Sequence, residues 1–156
     1  MFTISLASPE AMEQFGVDFA HCLPKHCLLT LSGPLGAGKT TVARGILRGL
    51  GYKGRVKSPT FTLVEPYTIG QQFVYHFDLY RLQDPEELDF IGFTDYLQDL
   101  DSLCLIEWPE KALTMLRSID IACYIEHCAA GRVVQMLAKT PCGKEVLHTL
   151  EATIGR

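Results

Sequence analysis

The sequence predicts a three-layer α/β domain in which helices cover both faces of a mixed β-sheet. Short apolar runs bounded by turn residues alternate with stretches whose apolar positions keep helical spacing. A glycine-rich turn, Gly33-Pro34-Leu35-Gly36-Ala37-Gly38-Lys39-Thr40, joins one such run directly to one such stretch. Two pairs of runs are connected tightly enough to form hairpins, through Ile69-Gly70 and through Ala129-Ala130-Gly131. Interleaved helices demand parallel strands and hairpins demand antiparallel ones, so the sheet is expected to be mixed.

The elements follow in order. Phe2–Leu6 alternates like a strand. Ser8-Pro9-Glu10 then opens a helix with a capping hydroxyl, a proline in the first turn and an early acid, and Met12, Phe15, Phe19 and Cys22 carry its apolar face as far as Pro24. Cys27–Leu31 is a buried-type strand. Thr40–Leu50 is a helix with Val42, Ile46, Leu47 and Leu50 on one face, stopped by Gly51. Residues 60–65 and 72–78 read as an antiparallel pair. Residues 84–101 are acidic and mostly short helix, broken at Gly92. Ser102–Glu107 is another buried-type strand, 109–116 a short helix, 119–127 and 132–138 a second hairpin, and 143–153 a last helix.

With 156 residues, no repeat and no linker, residues 1–156 are expected to form a single domain able to bury a sizeable core. A formal net charge of −4 gives no global basic field for nucleic acid. Met1–Ser8 lacks a signal-peptide pattern, and no apolar run approaches the ~20 residues of a membrane span. The six cysteines show no C-x-x-C spacing, so reduced thiols in a cytoplasmic protein are expected. His21-Cys22, His26-Cys27 and His127-Cys128 offer soft metal ligands, but nothing in the sequence gathers them, and small buried thiols with surface histidines are the simpler account.

Gly33–Thr40 fits the phosphate-binding pattern G-x-x-x-x-G-K-[ST] at every fixed position, and it lies between a strand and a helix as that pattern requires. Glycines let the backbone approach phosphates, and the unpaired N–H groups of the helix start point at them. Lys39 would neutralise β/γ-phosphate charge and the Thr40 hydroxyl would ligate magnesium. Such a site needs a further acid at the end of a neighbouring strand. Glu107 and Asp78 both close apolar runs, and the pattern does not rank them. Ser58-Pro59-Thr60-Phe61-Thr62 brings three hydroxyls and a stiff proline to the loop after the helix, either to sense a γ-phosphate or as a polar strand entry. Charge is segregated: Arg44, Arg48, Lys53, Arg55 and Lys57 lie in an acid-free run, and residues 84–101 contain no base. These runs read as solvated faces or as docking patches.

ATP is the expected nucleotide. The chain contains no asparagine and therefore no Asn-Lys-x-Asp reader of guanine, and Asp89-Phe90-Ile91-Gly92 matches D-x-x-G only in an acidic helical stretch. A small-molecule kinase needs an arginine-rich acceptor pocket, for which Arg81, Arg117 and Arg132 are thin provision. A free-standing kinase and a nucleotide-dependent adaptor without essential hydrolysis remain the alternatives to a partnered ATPase.

Five segments in this order (the loop through Thr41, Lys57–Glu65, His76–Leu82, Pro85–Leu88 and Ile106–Pro109) make residues 1–138 resemble the bacterial TsaE (YjeE) family. The resemblance implies a P-loop ATPase fold and a magnesium-dependent ATPase, slow alone, that is required to make threonylcarbamoyladenosine beside the anticodon of tRNA. It implies action with a TsaB–TsaD heterodimer, with tRNA contacted indirectly through that complex. By the same resemblance, Leu35, Gly36, Ala37, Gly38, Lys39, Thr40 and Thr41 would surround the phosphates, and Thr40 and Glu107 would ligate Mg2+. Asp78 would position water, and Thr62 or its neighbours would act as a switch. Pro9 and the turn at Gly131-Arg132 would form the base pocket. Pro34 stands where family members commonly have aspartate, a change expected to alter loop stiffness more than phosphate binding. Residues beyond 140 match no motif of the family.

Overall fold

In the computed structural model, which describes residues 1–116 and 118–155, the alternating pattern resolves into strands β1 (Phe2–Leu6), β2 (Cys27–Ser32), β3 (Val64–Ile69), β4 (Gln72–Asp78), β5 (Ser102–Glu107), β6 (Ile121–Cys128) and β7 (Gly131–Ala138). The helices are α1 (Pro9–Ala20), α2 (Lys39–Gly49), α3 (Glu87–Phe90), α4 (Phe93–Gln98) and α5 (Pro141–Ile154), with a 3-10 segment over Pro109–Met115. Arg117, counted above among the few arginines of the second half, lies outside the described residues, as does Arg156.

The seven strands form one sheet in the order β1-β7-β6-β2-β5-β4-β3. β2 pairs in parallel with β5 and β6, and β4 pairs in parallel with β5. The β3–β4, β6–β7 and β1–β7 pairs are antiparallel. The sheet is therefore mixed, with a parallel centre and antiparallel margins. Strand alternation splits the core in two. Leu29, Leu31, Leu103 and Leu105 pack with Phe15, Phe19, Ile46, Leu47 and Leu150 of α1, α2 and α5. Leu28, Phe77, Cys104 and Ile106 face the other way, onto Leu88, Phe93 and Ala112. This is the three-layer arrangement the sequence predicts.

Three boundaries differ from the sequence reading. The strand expected at 60–65 begins at Val64 and continues to Ile69, through Pro66. Leu63 takes a left-handed φ of 67°, which no strand residue holds, so residues 60–63 turn instead. Pro66 is tolerated because β3 is the sheet's edge. The helix expected at 109–116 is a 3-10 segment interrupted by non-helical Ala112. The last helix starts earlier than expected, because the Thr140 hydroxyl caps it by accepting from Gly143 N at 3.1 Å and donates to Asp120 at 2.6 Å.

α1 and α2 cross on glycines. A Cβ placed at Gly16 would lie 2.5 Å from the Val42 carbonyl oxygen and 2.9 Å from the Gly45 Cα. Gly45 and Gly49 face the α1 backbone in the same way. This close approach sets the spacing of α2, and hence of the loop that precedes it, from α1. Gly45→Ala should therefore destabilise the protein by about 1–3 kcal/mol through overpacking, although helix propensity alone favours Ala by ~1 kcal/mol. Urea unfolding checks the sign, and a stabilised variant would show that the helices have room to spare.

Candidate functional site

The carboxyl ends of the parallel strands come level with one another. Leu31 of β2 and Asp78 of β4 both pair with Glu107 of β5. Alternation places His76 and Asp78 on the face of Val74, and Glu107 on the face of Leu103 and Leu105, which is the face covered by α2. Gly33–Gly38 leaves β2 at this point and wraps into the start of α2. Gly36 and Gly38 hold φ values of 75° and 107°, where a side chain is strained. Gly38 is the N-cap of α2 and offers no side-chain hydrogen bond. The N–H groups of the first turn are thus left for an anion.

Lys39 is 5 % exposed and lies folded back on the loop. Its Nζ donates to the carbonyls of Gly33 at 2.6 Å and Pro34 at 2.9 Å, and sits 4.2 Å from the centre of the Trp108 ring. Burial pushes its pKa below the ordinary lysine value, while the nearby Glu107, Asp78 and Glu110 act in the opposite sense. Glu107 is 2 % exposed, and its two carboxylate oxygens accept from the Thr40 hydroxyl at 3.1 and 3.0 Å. Asp78 accepts from the Thr60 hydroxyl at 3.1 Å and from Tyr80 N at 3.0 Å. Around these groups lies a cavity of about 370 Å³ that Leu35, Gly36, Ala37, Gly38, Lys39, Thr40, Thr41, Thr60, Asp78, Tyr80, Glu107 and Trp108 line.

A smaller hollow of about 150 Å³ adjoins it across Gly36–Gly38 and Thr41, and Pro9, Met12, Gly131 and Arg132 form its other wall. Arg132 braces the loop from β7, donating to Ala37 O at 3.1 Å and Gly36 O at 3.2 Å. The two share Gly36, Ala37, Gly38 and Thr41 in their walls, the larger bringing the carboxylates and Lys39 and the smaller the apolar side chains of Leu6, Pro9 and Met12. A larger hollow of about 560 Å³ lies at the amino end of β2, between α4 and the residues Thr114, Met115 and Ser118. Among the described residues its lining holds His26 but no carboxylate or ammonium group, so chemistry rather than size marks the site.

Leu35–Thr41, Asp78 and Glu107 are brought together, and Pro9 and Gly131 meet in the adjoining hollow. Thr62 is not in either lining. Its exposed hydroxyl donates to Glu65 at 3.2 Å, and Thr60 is the residue of that loop that reaches an acid of the cavity. Asp89 lies in the short α3 and belongs to neither lining. Arg48 of the basic run donates to Tyr52 O and Gly54 O and closes the end of α2. Among the described residues no group of three or more His, Cys, Asp or Glu side chains could hold a metal ion, and all six cysteines are free.

The sequence gives no site role to His76, Tyr80 or Trp108, and it offers Thr60 only as one of three hydroxyls in the 58–62 loop. The signal for His76 was its place two residues before Asp78, on the same face of the strand. Trp108 carried none, because its left-handed backbone (φ 58°, ψ 52°) is not encoded by a glycine.

Fold and loop define a domain of the P-loop type. The family model described as "Threonylcarbamoyl adenosine biosynthesis protein TsaE" matches residues 6–134, and the chain belongs to this family. The chain is 48 % identical over 142 residues to the tRNA threonylcarbamoyladenosine biosynthesis protein TsaE of Haemophilus influenzae, covering 88 % of this chain and 89 % of that one. It is 44 % identical over 122 residues to the protein of the same name from Bacillus subtilis, covering 72 % and 75 %. The crystal structure of Bacillus subtilis YdiB superposes with a TM-score of 0.79 at 26 % identity, covering 97 % of this chain and 93 % of that one.

Trp108 is the only tryptophan and lines the cavity, with its ring 5.0 Å from that of Tyr80. Titration with ATP and magnesium should therefore produce a saturable change in its emission, reduced strongly in Lys39→Ala. An unchanged spectrum at concentrations where calorimetry detects binding would place the ligand elsewhere.

Proposed function

We propose that this chain is the ATP-binding and hydrolysing subunit of tRNA threonylcarbamoyladenosine biosynthesis, acting in the cytoplasm with a TsaB–TsaD complex that contacts the tRNA. Membership of the TsaE family supports the pathway. The single observation that supports the chemistry is the donor set at the strand ends. Uncapped N–H groups and Lys39 suit a polyphosphate, and the paired Thr40 hydroxyl and Glu107 carboxylate suit a hard divalent cation. Both groups fit the residues present.

In this reading the N–H groups of Gly36 and of Gly38 to Thr41 bind the phosphate oxygens, while Ala37 N donates to Pro34 O at 3.1 Å within the loop and Arg132 keeps the carbonyls of Gly36 and Ala37 engaged from the opposite side. Lys39 exchanges its two loop carbonyls for phosphate oxygens. Thr40 and Glu107 would hold magnesium, which would supply neutralisation of charge on the transferring phosphoryl group. Asp78, oriented by Thr60 and Tyr80 N, accepts a hydrogen bond from the attacking water. Tyr80 and Trp108 shield the phosphate side from bulk water, and the hollow between Pro9 and Gly131 takes the base. Positioning and electrostatics carry the rate, since phosphoryl transfer needs little covalent help from a protein. No arginine lines the cavity among the described residues, so turnover alone is slow and the partner complex completes the site.

ATP hydrolysis measured alone and with a TsaB–TsaD pair tests this directly. Strong stimulation is expected. Its absence in a mixture where binding is verified would favour a nucleotide-dependent adaptor. Lys39→Ala should lower stimulated kcat/KM by about 100-fold or more, on the order of 3 kcal/mol of transition-state stabilisation. Asp78→Asn should lower kcat far more than it weakens ATP binding, and equal effects on both would remove Asp78 from the water-positioning role.

A further inference from the structure

His76 has no part in the reading above and lines neither hollow, yet it is hydrogen-bonded to Glu107 from behind the cavity wall. It sits on β4 with no exposed surface. In the parallel register His76 stands opposite Leu105, and Glu107 lies two residues further along β5 on the same face. Such diagonal neighbours are within reach of long side chains. The imidazole Nε2 lies 2.6 Å from Glu107 Oε2. An ionised carboxylate can only accept, so Nε2 carries the proton and donates it. The other ring nitrogen, Nδ1, is buried with no hydrogen-bond partner among the described residues.

That asymmetry is informative. A residue present only to fill space between the sheet and α2 would be better apolar, because an unpaired buried nitrogen is unfavourable. The ring's one hydrogen bond goes to the carboxylate that also holds Thr40. Oε2 is shared between His76 and Thr40, whereas Oε1 accepts from Thr40 alone. The imidazole thus ties down one oxygen and leaves the other, with the Thr40 hydroxyl, less committed. A glutamate side chain has three rotatable bonds, and this anchor limits the rotamers it can reach.

We infer that His76 is a positioning residue that fixes the Glu107 carboxylate for divalent-cation binding beside Thr40. The inference rests on Glu107 being the magnesium ligand. His76 itself touches neither metal nor nucleotide. Partners that orient a ligating side chain in this way are commonly worth 10–100-fold in metal affinity.

The test measures the affinity of the full chain for a non-hydrolysable ATP analogue, by calorimetry, with magnesium and with EDTA. The ratio of the two affinities is the magnesium gain. His76→Gln keeps an N–H donor near the position of Nε2 and should retain the gain to within about threefold. His76→Asn keeps polarity but falls short of Glu107, and His76→Leu removes the donor. Both should lose roughly tenfold or more of the gain, with little change in the EDTA affinity. Should His76→Leu fail to fold, the comparison of Asn with Gln decides. A full gain in His76→Asn would overturn the proposal. So would equal losses with and without magnesium, which would make His76 a support of the fold only. Glu107→Gln serves as the reference. A full gain in that variant would instead refute the metal assignment on which the proposal rests.

Discussion

A carboxylate buried at the end of β5, beside the central strand β2, is the constraint around which the site is arranged. Glu107 is 2 % exposed, and a charge removed from water in this way is stable only when its oxygens are occupied by hydrogen bonds and a counter-charge is near. Thr40 from α2 and His76 from β4 supply the hydrogen bonds, and Lys39 supplies the positive charge. Removing a partner from such a cluster typically costs about 3–5 kcal/mol. The strand, its neighbour and the helix after the loop are therefore held in register by one side chain. The same three elements supply the groups that a phosphate and a cation require.

The rest of the fold keeps that register. Gly16 and Gly45 let α1 and α2 pack backbone against backbone, and the first turn of α2 meets Glu107 through Thr40. Gly38 closes the loop in a conformation that a side chain would oppose, with Met12 of α1 filling the space a Cβ would need. Trp108 follows Glu107 in a left-handed conformation that costs a residue of its size about 1–3 kcal/mol. That turn lays the indole along the cavity, against Lys39 and Tyr80. Strain and charge are thus concentrated at one end of the sheet, and the remaining core is ordinary apolar packing.

The fold class was legible in the sequence because its signals are local. Apolar runs, hairpin turns and a proline-led helix start each depend on a few adjacent residues, and the Gly33–Thr40 loop is a complete pattern in itself. The strand beginning at Val64 was harder to place. Its start is set by the left-handed Leu63 and its continuation through Pro66 by an edge position, and both are tertiary facts. The same holds for the site. Glu107 and Asp78 looked alike as strand-end acids, and only the packing of α2 shows that Thr40 meets Glu107 while Thr60 meets Asp78. Within the 58–62 loop, three hydroxyls were equivalent on paper. The turn at residues 60–63 sends Thr60 inward and leaves Thr62 on Glu65.

The most direct measurement is a crystal structure of the chain with a non-hydrolysable ATP analogue and Mn2+, with the metal located by its anomalous signal. The anomalous peak is expected between the Thr40 hydroxyl and the Glu107 carboxylate, with the phosphates along Gly36–Thr41 and Lys39 turned from the Gly33 and Pro34 carbonyls towards them. A peak held by Asp78 without Glu107, or a nucleotide bound away from the Gly33–Thr40 loop, would contradict this placement.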